Sequence, residues 1–341
     1  MSVLRVRPFT PGDREAWDAY VLAHPDSHFG QRIAWCELTA ATHRVRPRHW
    51  LAEEAGRVRG VLPLFARGGR APLLFSAPGG LLADDAGVAG ALLEPARAAV
   101  RDERLAMLEL RDQRRAWPDL ATSDEHVTLV LPLAPTPEAQ WAALGAKLRN
   151  QVRKGGRAGF EPRWGHDGLA GFHRVLLENM RDLGTPIRGR DYFRRALAAL
   201  GGAAELLVLR RGGEPAAAMF TVRHRDALAD PWASARRRFL ADCPNMVLYW
   251  EAIRRAIAGG ARAFDMGRSQ WDSGTFRFKA QWGAAPVPLH YQYVLGTAAA
   301  IPTLAGQKRG FALAVRAWRR LPLPLAAVLG EPAKRMFPEV L

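Results

Sequence analysis

The chain has 341 residues, 48% of them hydrophobic and 24% charged, which is ordinary for a soluble globular protein. This length predicts two domains, and no apolar run approaches the roughly 18 residues that a membrane-spanning helix needs. The first residues, MSVLRVRPF, contain no apolar core of signal-peptide length, so we expect a cytoplasmic protein. Two cysteines and nine scattered histidines argue against a disulfide framework and against a metal site.

The formal net charge of +16 favours contact with polyanions. Nucleic acid, nucleotide-linked substrates and anionic lipid headgroups all fit such a surface. An arginine-rich composition spread evenly over the surface accounts for the same charge. The charge alone therefore does not choose a partner.

The first half of the chain predicts alternating strands and helices. A short strand at 4–9 precedes a helix that Thr10 caps, with Pro11 at its first position. A second helix is predicted at 31–43, and a hairpin, RHWLAEEAGRVRGVLPLFARG, turns at Ala55–Gly56. The remaining elements are the strand LLFSA, which runs into Pro78–Gly79–Gly80, the helix 88–101, and the strands MLEL and HVTLVLPL.

The second half predicts the same order. A strand near Phe160 leads to a helix at 168–182, whose apolar residues keep helical spacing, and to a second helix, DYFRRALAAL. The next hairpin turns at Gly212–Gly213. Helix 245–258, the strand ARAFDMG, a short aromatic segment and a last strand, PLHYQYVL, follow.

This repeated order is that of an acyltransferase fold of the GNAT type, an α/β class with α+β character and a mixed sheet. LELRDQ (108–113) and FDMGRSQ (264–270) echo each other, which supports a duplication. We therefore predict tandem GNAT-like domains at 1–136 and 158–297. They are joined by one long basic helix at 137–157 and followed by an amphipathic tail at 298–341.

Stretches along nearly the whole chain resemble the FemAB family, whose members have two tandem GNAT-like domains and attach amino acids to cell-wall peptide precursors. Within it, the chain is most similar to FemAB-like proteins associated with PEP-CTERM/exosortase polysaccharide loci. The matching stretches are GVLPL (60–64), SAPGG with Ala83–Asp84, LELR (108–111), LRNQVRKGGRAGF (148–160), RDLGTP (181–186), YW (249–250), FDMGRS (264–269), FRFKAQWGAAPVPLHYQY (276–293) and AWRRLPLPLAAVLG (317–330).

Two places depart from the family pattern. PWASA (231–235) stands where such proteins often have a strand end rich in tyrosine and glycine, and Trp271–Asp272 lengthens the loop after the GRS element. Both departures affect the expected substrate more than the expected reaction.

Lys279 is the predicted catalytic residue, flanked by Phe278 and Trp282 as candidate substrate-binding residues. Acyl transfer to an amine passes through a developing oxyanion, which a fixed cation stabilises. A neutral lysine base would need its pKa lowered from about 10.4 to about 7.5, whereas an ammonium needs no such change, so we predict a charged role. The resemblance implies that the lysine of the family's FK motif lies near the transferred group. A surface lysine covering aromatic rings is the alternative.

The strand before this segment adds three candidates. Asp265 can orient the acceptor amine or accept its proton, and a buried acid paired with Arg268 or Lys279 is an equal alternative. Arg268 and Ser269 are donors suited to a phosphate or a carboxylate, although an ordinary strand-end turn also explains them.

The basic helix contributes Arg149, Arg153 and Lys154 as candidate substrate-binding residues. In the light of the resemblance they meet a nucleotide diphosphate, a lipid pyrophosphate or a tRNA backbone, and a solvated charged face is the alternative. Gly184, Thr185 and Pro186 form a rigid loop that we interpret as an acceptor-side wall. Gly79 and Gly80 are its counterpart in the first domain, although plain turns explain both loops.

The tail places Phe311, Val315 and Trp318 on one side of a basic amphipathic helix at 308–321. Such a helix either lies peripherally on the inner face of an anionic membrane or packs on the second domain.

Neither half carries the glycine-rich loop that holds the pyrophosphate of coenzyme A at a helix N-terminus. The equivalent stretches are ARRRFLADCPNM (235–246), which has no glycine, and PGGLLADDAG (78–87), which places two aspartates there. This favours aminoacyl-tRNA over acyl-CoA as donor, although the arginines at 236–238 can bind phosphate by charge. We expect no bound cofactor and no DNA partner.

Three functions fit these patterns. The first is a FemAB-like N-acyltransferase that transfers an aminoacyl or other acyl group to an amine on a nucleotide- or lipid-linked precursor of peptidoglycan or exopolysaccharide. The second is an acyl-CoA-dependent N-acyltransferase acting on an amino sugar. The third is a non-catalytic GNAT-like scaffold, against which the retained Lys279 and GRS turn argue.

Overall fold

The computed structural model describes residues 3–69, 71–302 and 304–336, without the side chains of 304–311, 335 and 336. The chain divides into two compact units, Met1–Val127 with Val287–Thr303, and Thr128–Pro286 with Leu304–Leu341. The fold is the predicted mixed α/β class. The segment 137–157, predicted as a joining helix, lies within the second unit, and Val287–Thr303 lies within the first.

The first unit contains strands of two sheets. One sheet has the order β1-β3-β4-β7, and β8, β6, β5 and β2 are consecutive neighbours in the other. The elements are β1 (Arg5–Pro8), α1 (Arg14–Ala23), α2 (Ile33–His43), β2 (Arg46–Pro47), β3 (Trp50–Glu54), β4 (Arg57–Leu62), β5 (Leu64–Arg67), β6 (Leu73–Pro78), β7 (Leu82–Ala83), α3 (Ala86–Asp102), β8 (Met107–Gln113) and β9 (Ala121–Pro132), of which 128–132 belong to the second unit.

The predicted first hairpin is wrong in one respect, because its second strand is two strands. β4 ends at Leu62 and β5 begins at Leu64, and the two strands belong to different sheets. Pro63 lies between them and has no N–H group to donate to a strand ladder. The chain therefore changes sheets at this proline.

The second unit places β10, β11, β12, β13, β14 and β9 side by side in that order. Its elements are α4 (Pro137–Ala143), α5 (Ala146–Arg157), β10 (Glu161–Trp164), α6 (Leu169–Leu183), α7 (Arg190–Leu200), β11 (Ala204–Arg211), β12 (Glu214–His224), β13 (Ala227–Ala235), α8 (Pro244–Ala258), β14 (Ala263–Gln270), α9 (Gly274–Ala280), β15 (Ala285–Leu295), which returns to the first unit from residue 287, α10 (Leu304–Arg319) and α11 (Leu323–Met336).

The long basic helix predicted at 137–157 is also wrong, because it is two helices. Leu144 and Gly145 have extended backbone, with ψ angles of 143° and 148°, so α4 ends and α5 begins there. Leu144 remains buried through this break. The apolar spacing that predicted one continuous helix therefore reflects burial on both sides of a bend.

Each unit contains a pair of parallel strands joined by a helix. In the first unit α3 connects β6 to β8, and in the second α8 connects β13 to β14. Glu109 of β8 lies opposite Phe75, and Asp265 of β14 lies opposite Ala229. The two echoing segments of the sequence are therefore the same strand of a repeated unit.

The tail helices α10 and α11 pack against α6 and the loop that follows it. Val315 and Trp318 of α10 are half-buried. A Cβ atom added to Gly184 would lie 2.5 Å from Cγ1 of Val315, and one added to Gly330 of α11 would lie 2.6 Å from the carbonyl oxygen of Ile187. Close backbone contact thus fixes both helices on the second unit.

The Phe311 side chain, which we placed on the same stripe, lies outside the described side chains. Among the residues that the structure does describe, no helix has both the length and the apolar character needed to cross a membrane.

Replacing Gly184 by alanine tests the packing of the tail. Gly184 has a φ of +83° and ends α6, so alanine meets both backbone strain and Val315. We expect Gly184→Ala to lower the free energy of unfolding by about 2–4 kcal/mol, measured by urea denaturation. Gly212→Ala is the matched control, because Gly212 has a φ of +56° with open space around it and should cost about 1 kcal/mol. Equal losses in the two variants would show that α10 does not press on Gly184.

Candidate active site

The candidate site begins where two parallel strands of the second unit stop pairing. The pairing of β13 with β14 runs from Ala227↔Ala263 to Ala229↔Asp265, and Asp230 is the next residue of β13. Gly267 of β14 has a φ of +73°, and a Cβ atom there would lie 2.8 Å from the carbonyl oxygen of Asp230 and 2.9 Å from its Oδ1. Only glycine therefore allows Asp230 to lie against the bend in β14.

Lys279 bonds to the backbone at this bend. It lies on α9, whose first turn is capped by Ser273 through a hydrogen bond from Phe276 N to Oγ of 3.1 Å. The side chain is buried, and Nζ donates to the carbonyl oxygens of Gly267 and Arg268 at 2.7 and 3.0 Å. Lys279 is therefore not a lysine that covers aromatic rings at the surface.

Burial and the neighbouring carboxylates act on the pKa of Lys279 in opposite directions. Burial lowers the pKa of Lys279, and Arg268 adds to this effect, while Asp230 and Asp265 act in the opposite direction. Burial raises the pKa of Asp230 to about 7, although Lys279 and the neighbouring Tyr249 hydroxyl both favour its ionised form. The site therefore holds a cation fixed on the backbone and an acid that changes charge near neutral pH.

Asp265 is tied to the frame of the site. Its Oδ1 accepts hydrogen bonds from Thr128 Oγ1 of β9 at 2.5 Å and from Gly267 N at 3.0 Å. These bonds hold the bend in β14 and keep a negative charge near Lys279. This geometry favours the paired, structural interpretation of Asp265, whereas Asp230 has the carboxylate suited to proton transfer.

Tyr249 of α8 forms the centre of the aromatic wall. It stacks on Trp282 with ring centroids 6.1 Å apart, and Phe278 meets it edge-on at 4.9 Å. Burial, and secondarily Asp230, raise the pKa of Tyr249 well above its usual value, so its hydroxyl stays protonated beside that carboxylate. The structure thus brings Phe278 and Trp282 together with Lys279 through a tyrosine.

Three buried polar atoms of this region have no hydrogen-bond partner among the described residues. They are Oδ2 of Asp230, Oγ of Ser269 and Nε1 of Trp282. Buried polar atoms are almost always paired, and leaving one unpaired costs about 1–3 kcal/mol. Their grouping around Lys279 is what a site for a polar substrate would show.

The predicted loop residues have clear local roles. Gly184 caps α6, Thr185 N donates to Met180 O at 2.8 Å, and half-buried Pro186 continues the loop. This loop lies under α10, so its glycine is required by packing with the tail.

In the first unit, Gly79 and Gly80 have positive φ angles and accept hydrogen bonds from Nε2 of the buried Gln31 at 3.0 and 3.2 Å. A Cβ atom on Gly80 would lie 2.3 Å from Gln113. The turn geometry accounts for both glycines.

The basic residues of α5 are not drawn into the candidate site. Nη1 of Arg149 donates to the carbonyl oxygens of Ala142 and Leu144, across the break between α4 and α5. Arg153 is exposed and lies over Trp141 at 5.4 Å, and Lys154 is exposed. Arg149 therefore stabilises the bend.

The start of α8, where a pyrophosphate would bind in a coenzyme A enzyme, is occupied by protein groups. Arg236 is buried and pairs with Glu178 at 2.8 Å, and Arg238 pairs with Glu214. A Cβ atom on Gly155 of α5 would lie 2.9 Å from the carbonyl oxygen of Cys243, directly before α8. Two of the three arginines at 236–238 are thus committed to carboxylates.

Asp230, Tyr249 and Thr128 were not identified as site residues from the sequence. YW (249–250) was noted only as a family match, and Asp230 directly precedes the unusual PWASA segment. A carboxylate inside the largely apolar strand β13 was the available signal for Asp230.

The raised pKa of Asp230 predicts a pH-dependent difference in stability between the wild type and Asp230→Asn. The pKa of Asp230 rises from an ordinary 3.8 to about 7 on folding. Between pH 3.8 and about 7 the folded protein therefore binds one more proton than the unfolded chain, and the wild type loses stability as the pH rises through this range. We expect the free energy of unfolding of Asp230→Asn, relative to wild type, to increase by about 2–3 kcal/mol from pH 5 to pH 7. Urea titrations at several pH values measure it, and a constant difference would contradict the raised pKa.

Comparisons with known proteins bear on the fold and on the class of reaction. A family model described as an acetyltransferase (GNAT) domain matches residues 144–280, which include Asp230 and Lys279. No curated protein matches the chain.

Several solved structures share the fold at low sequence identity. FemX aligns over 85% of this chain and 97% of its own, with a TM-score of 0.68 and 15% identity. L-PGS from Bacillus licheniformis aligns over 92% of this chain and 97% of its own, with a TM-score of 0.53 and 14% identity. A tandem GNAT protein from the clavulanic acid biosynthesis pathway aligns over 85% of this chain and 97% of its own, with a TM-score of 0.51 and 14% identity. This chain is therefore an acyltransferase on a tandem GNAT-like fold, with its acetyltransferase (GNAT) domain at 144–280.

Proposed function

We propose that the protein is a FemAB-like N-acyltransferase that transfers an aminoacyl group to an amine on a nucleotide- or lipid-linked precursor of the cell envelope. The observation that carries this proposal is that buried Asp230 and buried Lys279 both lie against the bend at Gly267, and that Oδ2 of Asp230 has no partner among the described residues. A proton acceptor and a fixed cation are the two groups that aminolysis of an ester requires.

In the proposed reaction the acceptor amine attacks the ester carbonyl of the donor. Asp230, ionised near neutral pH, accepts the proton that the amine nitrogen loses as the N–C bond forms. The ammonium of Lys279, held by two backbone carbonyls, stabilises the oxyanion of the tetrahedral intermediate. The C–O bond to the donor then breaks, and the proton from Asp230 passes to the leaving oxygen, so the enzyme returns to its starting state.

The choice of an aminoacyl-tRNA donor rests on the start of α8 and on the family resemblance. Glu178 and Glu214 neutralise two of the arginines there, and α5 lies against Cys243. A coenzyme A pyrophosphate would have to displace these contacts. The FemAB resemblance implies an aminoacyl donor and an envelope precursor as acceptor, and an exopolysaccharide precursor is the narrower proposal.

An acyl-CoA donor is the second candidate. The matching family model is described as an acetyltransferase, and the tandem GNAT protein of the clavulanic acid pathway is described in a form without AcCoA. The candidate pair of Asp230 and Lys279 serves a thioester as well as an oxygen ester.

Peripheral membrane contact is a further part of the proposal, if the acceptor is lipid-linked. Leu313 of α10 and Val328 of α11 are 80% and 72% exposed, and exposed Arg316 and Arg320 lie along the same segment. Exposed leucine and valine beside basic residues suit the surface of an anionic membrane.

A donor screen with purified protein tests the function. Charged tRNA and acyl-CoAs are compared as donors, with amine-bearing sugar nucleotides as acceptors, and label transfer is measured. We expect transfer from charged tRNA, and we expect Lys279→Met to lower kcat by about 10²–10³ because the oxyanion loses its cation. Arg277→Gln is the matched control, since it removes an exposed cation from the same helix.

Transfer from acyl-CoA alone would favour the second candidate. Full activity of the Lys279→Met variant would contradict the proposed mechanism. A strain that grows normally on the Lys279→Met variant would indicate a scaffold.

The pH dependence of kcat/KM tests the role of Asp230. We expect activity to rise with pH through an apparent pKa near about 7, as Asp230 ionises, and we expect Asp230→Asn to lose about 10²–10⁴ in rate together with this dependence. Tyr249→Phe should move the same pKa upward, because the hydroxyl favours the ionised carboxylate. A profile that is unchanged in Tyr249→Phe would assign the titration to the substrate amine instead.

A further inference from the structure

Helix α5 has one face on which positive charge is concentrated. Its exposed side chains Lys147, Arg153, Lys154 and Arg157 form what we call the basic face, and the helix contains no acidic residue. Within the part of the chain that the structure describes, none of the four pairs with a carboxylate, and Arg153 donates to the neutral amide oxygen of Asn150 at 3.2 Å. Like charges three or four residues apart on a helix repel one another, so an anionic partner would stabilise this face.

Helices α7 and α8 of the same unit treat their cations differently. In α7, Arg194 and Arg195 both pair with Asp191, and in α8, Arg254 pairs with Glu251 at 2.8 Å. These carboxylates neutralise the cations within one turn of the same helix. The basic face of α5 is therefore more than a sample of an arginine-rich surface.

The basic face is presented by a helix whose position is fixed. At 3.6 residues per turn, the four cations lie within about 120° of arc and about 15 Å of helix axis. On the other side of α5, Leu148 and Val152 are buried. Gly155 packs against α8, where an added Cβ atom would lie 2.6 Å from Cγ2 of Val247. The row of charges is thus built into the fold of the second unit.

Two tryptophans lie beside the basic face. Trp141 of α4 and Trp250 of α8 are half-buried with ring centroids 4.9 Å apart, and the guanidinium of Arg153 lies 5.4 Å from the ring of Trp141. Cations next to aromatic rings bind nucleic acid without reading its sequence, through phosphates and stacked bases. Helices α4 and α5 carry no exposed large apolar side chain of the kind that enters a membrane surface. The face therefore suits a nucleic acid better than a lipid surface.

Helix α8 lies between these tryptophans and the candidate active site. Tyr249 contacts Phe278 and Trp282, and the next residue, Trp250, contacts Trp141. Consecutive residues of a helix project about 100° apart, so α8 meets the site on one side and α4 on another. A polymer bound along α5 consequently has to extend over about two helix diameters to reach the site.

We infer that the basic face of α5 binds the phosphate backbone of an RNA donor, outside the candidate active site. The inference rests on the proposed function, because an aminoacyl-tRNA brings only its acylated 3′ end to Lys279 and the rest of the RNA binds elsewhere. Lysine and arginine bind phosphates with release of counterions, so this contact is sensitive to salt. Phosphate contacts position the RNA and do not select its sequence.

Binding of deacylated tRNA, measured by fluorescence anisotropy at several salt concentrations, tests the inference without any acyl transfer. We expect the triple variant Lys147→Gln/Lys154→Gln/Arg157→Gln to weaken binding about tenfold or more, because three phosphate contacts are lost. The slope of log Kd against log salt concentration should fall by about 2–3 for the same reason. The melting temperature should stay equal to that of wild type or rise, because the repulsion along α5 is removed.

The matched control is the triple variant Arg163→Gln/Arg194→Gln/Arg262→Gln. It removes the same amount of charge from the second unit, but from exposed cations that already pair with carboxylates. We expect it to bind tRNA within about twofold of wild type at physiological salt, where charges away from the RNA are screened. Equal losses in the two triple variants would assign the binding to net charge and overturn the inference.

Further outcomes separate the inference from its alternatives. No binding of tRNA by the wild type, or unchanged binding by the α5 variant, would overturn it. If the α5 variant lost binding to phosphatidylglycerol vesicles and kept binding to tRNA, the face would belong to a membrane contact instead.

The inference and the proposed function can fail separately. Transfer from charged tRNA with an unchanged KM in the α5 variant would overturn the inference alone. Binding of tRNA that depends on α5, in a protein that transfers only from acyl-CoA, would support the inference and count against the proposed function alone.

Discussion

The bond between the Lys279 ammonium and the carbonyl oxygens of Gly267 and Arg268 determines the rest of the site. Parallel pairing between β13 and β14 covers Ala227–Ala229 and Ala263–Asp265, and the carbonyls beyond need donors from elsewhere. A lysine from a separate helix supplies them. The positive charge is consequently placed by the backbone rather than by a flexible side chain, and the carboxylates of β13 and β14 offset the cost of burying it.

The duplicated strand differs between the two units in how its carboxylate is held. In β8 the carboxylate of Glu109 pairs with Arg111, two residues further along, at 2.7 Å. In β14 the equivalent Asp265 faces the backbone of Gly267, and a lysine approaches from α9. In the first unit the carboxylate of Glu109 is paired within its own strand. In the second unit an additional helix, α9, brings a lysine to the strand, and a further carboxylate, Asp230, lies beside it.

Local signals in the sequence were sufficient for most elements but not for the site. Turn glycines, caps and apolar spacing identified the hairpins and helices, and resemblance identified Lys279. Asp230 is 49 residues before Lys279, and the two approach each other only because β13 pairs with β14 and α9 returns its lysine to the bend in β14. The break at Leu144–Gly145 carries no proline, so packing decides it. Pro63, by contrast, did indicate in the sequence that β4 and β5 are separate strands, but the hairpin pattern was given more weight.

The position of α11 has a consequence for synthesis of the chain. A ribosome that has released residues up to 280 has produced the whole segment that matches the GNAT domain, including Lys279 and both carboxylates. Helix α11 is translated more than forty residues later, and the exit tunnel still covers it for a time. A nascent chain can therefore bring Asp230 and Lys279 together early, whereas α11 becomes available only afterwards.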